Sequence, residues 1–82
     1  PVLYKALSMA QKLHKKGARS ADILRKEITS LTQSEPRVII DYVSIADANT
    51  LEELENIDRP ALVSLAVRIG KTRLIDSMTL EK

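Results

Sequence analysis

An α+β fold, with a two-helix hairpin packed on a small three-stranded, mainly antiparallel sheet, is predicted by three features of this sequence. Two apolar stripes at three- and four-residue spacing fill residues 2–31, a dense β-favouring run spans 38–45, and residues 61–80 alternate about a central Gly70-Lys71 pair. Stripes with a 3.6-residue period bury one side of a helix, whereas period-two alternation buries one face of a strand. The predicted order is α-α-β-short α-β-β, with both long helices on one face of the sheet.

The first helix is predicted over residues 2–16. Leu3, Ala6, Leu7, Ala10 and Leu13 make its stripe, widened by Val2 and Met9, and Lys5, Gln11, Lys12, Lys15 and Lys16 lie opposite or in the last turn. Cations there complement the helix dipole, and Gly17 suits a left-handed stop. Ser20 is placed to cap a second helix with the buried stripe Ala21, Leu24, Ile28 and Leu31, and Asp22 and Lys26 stand in the favourable acid-before-base order. Pro36 stops that helix before Glu35. The first strand is predicted over 37–47, with Ile39, Val43 and Ile45 on one face and Val38, Ile40 and Tyr42 on the other. Asp47-Ala48-Asn49 has turn chemistry, and Thr50-Leu51-Glu52-Glu53 matches a capping box, so a short helix through Leu54 is expected. From Ala61 to Ile69 the odd positions are all apolar. Gly70 then suits the first central position of a type II′ turn, and the return arm 72–80 puts Leu74, Met78 and Leu80 on one side and Ile75 on the other.

Eighty-two residues are expected to make a single domain, 1–82, burying somewhat more than ~60% of its unfolded surface and leaving little room for a deep cavity. Its 44% hydrophobic and 29% charged residues match folded soluble chains and argue against disorder. The absence of cysteine excludes disulfides and thiolate metal sites and fits a cytoplasmic location. No apolar run approaches the ~20 residues of a membrane span, so no membrane partner is expected. Thirteen basic and eleven acidic residues nearly cancel, and Tyr4 and Tyr42 are the only aromatics for stacking, which argues against a nucleic-acid partner. The chain opens on Pro1 and enters helical sequence at once, a hint of a piece of something longer.

Few residues invite chemistry. His14, the lone histidine, falls at the edge of the first stripe near the helix C-terminus, where an imidazolium is mildly favoured, and no carboxylate lies three or four residues away to complete a site. Glu52, Glu53, Glu55 and Asp58 lack the alternating ligand spacing of a calcium loop and read as a solvated face. Lys12, Lys15, Lys16 and Arg19 form the densest basic cluster; a solvated helix end is the simpler reading and phosphate attraction the sharper one. Gly70-Lys71-Thr72 has a P-loop ending, yet the glycine required five residues upstream is Leu65 and a strand precedes it. By its own residues the chain is not an enzyme.

Two stretches together carry a family resemblance. Ile40-Asp41-Tyr42-Val43-Ser44-Ile45-Ala46-Asp47 followed by Asn49-Thr50-Leu51, and the run from Val63 through Gly70-Lys71-Thr72-Arg73-Leu74-Ile75-Asp76, resemble the signatures of the pantothenate synthetases. Leu3-Tyr4-Lys5-Ala6-Leu7 suits the helix after that family's serine-rich nucleotide-contacting motif, and Ser77 departs from the usual asparagine. The resemblance implies a C-terminal lid domain of a ligase that condenses pantoate with β-alanine through a pantoyl-adenylate. ATP and Mg are implied for the parent enzyme, and neither for this piece alone, which is expected to be inactive. The implied partner is an N-terminal Rossmann-type nucleotide-binding domain, absent here together with its catalytic motif, so no catalytic, cofactor-binding or metal-binding role is carried over to any position. Gly70, Arg73 and Asp76 match the motif and are expected to build the hairpin. If the Lys12, Lys15, Lys16 and Arg19 face turned to the cleft, it would add positive potential for triphosphate. The competing readings are a stand-alone binding module for an acidic partner or nucleic acid, and a homo-oligomer formed through apolar surface.

Overall fold

The structure, a computed structural model, describes residues 2–81. Helices α1 (Val2–Lys15) and α2 (Ala21–Gln33) precede strands β1 (Val38–Asp47), β2 (Ala61–Ile69) and β3 (Thr72–Leu80). The strands form one antiparallel sheet in chain order. Both helices lie on one face of it, α1 toward β3 and α2 toward β1. The predicted α+β class and its helix layer are therefore what the chain adopts.

Local chemistry explains the helix ends. The Ala18 amide donates to the Leu13 carbonyl and the Gly17 amide to that of His14, both at 3.0 Å, with Gly17 at φ +109°. This 6→1 and 5→2 pairing closes α1 as a Schellman motif, which needs a residue that tolerates positive φ. The Ser20 hydroxyl accepts from the Ile23 amide at 3.2 Å, capping α2. Leu3, Ala6, Leu7 and Ala10 of α1 join Ala21, Leu24 and Ile28 of α2 over Ile45, Val63, Leu65, Val67 and Leu80 of the sheet. One stripe position differs from expectation. Leu31 is half-buried and Thr32 takes the buried place, its hydroxyl donating to the Ile28 carbonyl at 2.7 Å so that no polar group is stranded.

The face assignment predicted for β1 needs correction. Ile39, Val43 and Ile45 do not share a face, because the register slips between Ile40 and Tyr42: Ile40 opposes Val67, while Tyr42 opposes Ala66. Asp41 is the extra residue of a β-bulge, and one extra residue inverts the parity of everything before it. Val38 and Ile40 therefore face the helices with Val43 and Ile45, and Ile39 faces outward with Tyr42.

The short helix expected at 50–54 is also absent. The Asp47 carboxylate accepts the Asn49 and Thr50 amides at 2.7 and 3.0 Å, and Leu51 takes a positive φ of 65°. That side chain-to-backbone turn competes with a helical start. Beyond it the chain runs back along the free edge of β1, with the Asp47 amide donating to the Glu52 carbonyl and the Leu54 amide to that of Ile45. Strand pairing thus satisfies the groups a helix would have used. The β2–β3 turn follows prediction: φ is +60° at Gly70 and not positive at Lys71, the pattern of a type II′ turn.

Candidate functional site

The residues singled out from sequence scatter across the surface. Lys12, Lys15 and Lys16 are exposed on α1 or just beyond its end. Arg19 is engaged with the backbone: its Nη1 donates to the carbonyls of His14 at 2.7 Å and Ala18 at 2.9 Å, closing the end of α1. The four cations therefore present no convergent phosphate cradle. Lys15 and Arg19 do line a cavity of about 250 Å³ with Gln11, His14, Thr79, Leu80 and Glu81, but Glu81 gives it mixed charge.

His14 corrects a second expectation. It is 6% exposed, its Nε2 has no hydrogen-bond partner among the described residues, and burial, aided by the Arg19 charge, pushes its pKa below 6.5. The neutral imidazole is favoured, and Arg19 rather than an imidazolium meets the helix end. Because the unfolded state binds the proton more readily, stability should be fullest above pH 6.5 and fall as the pH drops below it. Urea midpoints followed from about pH 7.5 to about 5.5 should show this slope, and His14→Leu should flatten it. A variant that keeps the full slope would assign the titration to another group.

The acidic group is drawn into separate contacts. Glu53 accepts from Arg25 Nη2 at 3.0 Å, from the Ile45 amide at 3.2 Å and from the Ser44 hydroxyl, whereas Asp58 pairs with Arg59 at 2.8 Å. Among the described residues no three His, Cys, Asp or Glu side chains converge as a metal site, and no helix is long and apolar enough to cross a membrane. Of the three motif residues, Gly70 makes the turn. Asp76 accepts its neighbour's amide, from Ser77, at 2.8 Å. Arg73 does more: its Nε donates to Asp41 at 3.0 Å, joining the two signature stretches across the sheet.

That contact belongs to a constellation on the face away from the helices. Arg68 Nε also reaches Asp41, at 3.3 Å, and the two guanidiniums hold the Asp41 carboxyl below the usual carboxylate range, Arg73 most strongly. Read across the strands, the outer face carries Ile39–Arg68–Arg73, then Tyr42–Ala66–Ile75, then Ser44–Ser64–Ser77. Ile39 is 67%, Tyr42 40% and Ile75 56% exposed. A cationic end, an apolar middle and a row of hydroxyls lie side by side.

Sequence reading missed two residues that organise this architecture. Arg25, on α2, sends Nη2 to the carbonyls of Leu54 at 2.7 Å and Ile45 at 3.1 Å as well as to Glu53, while Nη1 pairs with Asp22 at 3.1 Å. Nothing local in the sequence marks it. Asp41 did leave a signal: a charged residue inside an otherwise apolar strand run marks a bulge or a paired carboxylate.

The sequence profile of the family described as Pantoate-beta-alanine ligase matches residues 1–79. Among curated relatives, the pantothenate synthetase of Herpetosiphon aurantiacus is 49% identical over 81 residues, covering 98% of this chain and 29% of that protein. That of a Roseiflexus species is 48% identical over 80 residues, again 29% of its length. A crystal structure of pantothenate synthetase from Thermus thermophilus superposes with a TM-score of 0.85 at 28% identity, over 95% of this chain and 28% of that one. The chain spans less than a third of the length of the relatives it matches.

Proposed function

The chain belongs to the pantoate-beta-alanine ligase family, and from that premise we propose that it is the C-terminal lid of a pantothenate synthetase. In this reading the whole enzyme joins pantoate to β-alanine with ATP, through a pantoyl-adenylate. The observation that carries it is the pairing of coverages: 98% of this chain aligns, with only 29% of the Herpetosiphon relative. One portion of a larger machine is the natural interpretation.

The division of labour follows from chemistry. An acyl-adenylate is a mixed anhydride that water destroys, so the enzyme needs a cover that closes after substrates bind and opens for release. This chain offers a rigid one. Its helices are packed on the sheet by one core, the 52–54 segment is stitched to β1, and Arg25 ties α2 to both. A cover that keeps its shape can exclude water and hold the acyl phosphate in line with the amine. Among the described residues no three carboxylate or imidazole side chains converge to hold a Mg ion, and the acidic side chains are engaged with arginines and backbone amides instead. Nucleotide and metal contacts belong, in this reading, to the remainder of the enzyme.

The test is a segment exchange. This chain replaces the matching portion of the Herpetosiphon enzyme, and pantothenate formation is compared with a form lacking the portion. The exchanged enzyme should work within about tenfold of its parent, and the truncated form should lose about 100-fold or more in kcat. Equal rates with and without the chain would overturn the proposal.

A further inference from the structure

We propose that Asp76 keeps the free edge of β3 from pairing with the same edge of a second copy of this chain, the partner that edge otherwise fits. The inference stands on the sheet itself and is independent of the lid reading.

Hydrogen bonding across the sheet fixes which groups the edge offers. On the outer side of β1 the Asp47 amide donates to the Glu52 carbonyl, the Ile45 carbonyl accepts the Leu54 amide, and the Ile45 amide donates to the Glu53 carboxylate. The backbone groups of Ile45 and Asp47 therefore point away from β2, and those of Ser44 and Ala46 point toward it, onto Ser64 and Leu62. Alternation then turns Ala61, Val63 and Leu65 toward β3, where they oppose Leu80, Met78 and Asp76. The amides and carbonyls of Arg73, Ile75, Ser77 and Thr79 are left facing outward. The outer side of β1 is covered near Ile45 by the 52–54 segment and bent by the bulge at Asp41, so β3 is the longer regular edge.

Such an edge is a template for another strand. Two antiparallel β3 edges use all four outward residues in one register, with Arg73 opposite Thr79 and Ile75 opposite Ser77 of the second copy. That register sets Asp76 against its own counterpart, at a non-hydrogen-bonded position where Cα atoms stand only ~4.5 Å apart. Like charges directly opposite one another are destabilising. Asp76 also acts a second time. Its Oδ1 accepts the outward Ser77 amide at 2.8 Å, taking the donor that pairing needs. Registers shifted by two residues pair only three outward residues, and each of them still requires that amide. Among the described residues no other side chain holds an outward amide of this edge. Arg73 sets up no such repulsion, since it is drawn to Asp41 and meets a threonine in the full register. Asp76 is exposed and its side chain bonds to no other strand, so the hairpin forms without it.

The test compares the full chain with its Asp76→Thr variant by sedimentation velocity and amide exchange. The parent should sediment as a monomer. Asp76→Thr removes both the charge and the acceptor, keeps a β-favouring side chain, and should dimerise at least about tenfold more tightly. Asp76→Asn, which loses the charge and keeps the acceptor, should fall between the two. In the dimer the amides of Arg73, Ile75, Ser77 and Thr79 should gain protection that grows with concentration, with those of Leu74 and Met78 unchanged. Adding Ser77→Pro to Asp76→Thr should return the monomer, because proline at an outward-facing edge position costs no ladder bond and removes the donor. Circular dichroism of each variant confirms the fold. Asp76→Thr and Asp76→Asn chains that both stay monomeric would overturn the assignment. So would a dimer in which those four amides exchange freely, growth beyond a dimer, or a parent chain that already pairs through them.

Discussion

Arg25→Ala is expected to lower stability by about 2–4 kcal/mol, far more than a surface ion pair warrants. The side chain is mostly covered, and its guanidinium bridges α2 to the Ile45 carbonyl of β1 and the Leu54 carbonyl of the long connection. Its salt bridge to exposed Asp22 contributes little; the Leu54 carbonyl, which loses its donor, and the part-covered guanidinium contacts to Ile45 and Glu53 contribute most, although the Ile45 carbonyl keeps the Leu54 amide and Glu53 keeps the Ile45 amide. Urea unfolding gives the change. Amide exchange should show where it acts, with the Leu54 amide, bonded to the Ile45 carbonyl, exchanging faster relative to amides of β2. Arg25→Met, which keeps the apolar stem, should lose nearly as much. A loss under about 0.5 kcal/mol in both variants would mean that water replaces the guanidinium.

Leu65→Ala should cost about 3–4 kcal/mol, a large share of what a chain this size possesses. Leu65 is fully buried in the central strand, between Val43 of β1 and Asp76 of β3, beneath both helices. Its loss opens a cavity that a close-packed layer cannot refill. Leu74 offers the contrast. It points to the same side of the sheet from β3, opposite Val67, yet is 40% exposed because the helix layer stops short of the hairpin tip. Leu74→Ala should cost about 1 kcal/mol or less, and equal losses at the two sites would show that the helices extend over the tip.

Periodicity made most of this fold legible. Both helices, the hairpin and the II′ turn follow from local spacing, capping and one glycine, and each formed as the residues predicted. The failures share a cause: at each, a contact that the periodic pattern does not encode outweighs that pattern. Thr50 and Glu53 spell a capping box, but the Asp47 carboxylate and the open edge of β1 hold the same backbone more favourably, and Glu53 goes to Arg25 instead. Val38, Ile39 and Ile40 were assigned to the wrong faces of β1, while Tyr42, Val43 and Ile45 were separated correctly, because parity counting assumes an unbroken ladder and the bulge at Asp41 breaks it. His14 was judged from its position at a helix end, where charge is favoured, whereas burial decides its state. The outer face was least legible, since it is assembled from Ile39, Tyr42, Arg68, Arg73 and Ile75 across three strands. It becomes a surface only when the register is known.

The central claim is that this chain covers an adenylate from water, and the most direct measurement is the ratio of AMP released to pantothenate formed. In the exchanged Herpetosiphon enzyme, about one AMP should appear per pantothenate, because the closed cover leaves the amine as the only nucleophile with access. In the form lacking the chain, AMP should exceed pantothenate several-fold as water takes the acyl group. A ratio that stays at about one without the chain would contradict the account, since the adenylate would then be protected by the rest of the enzyme alone.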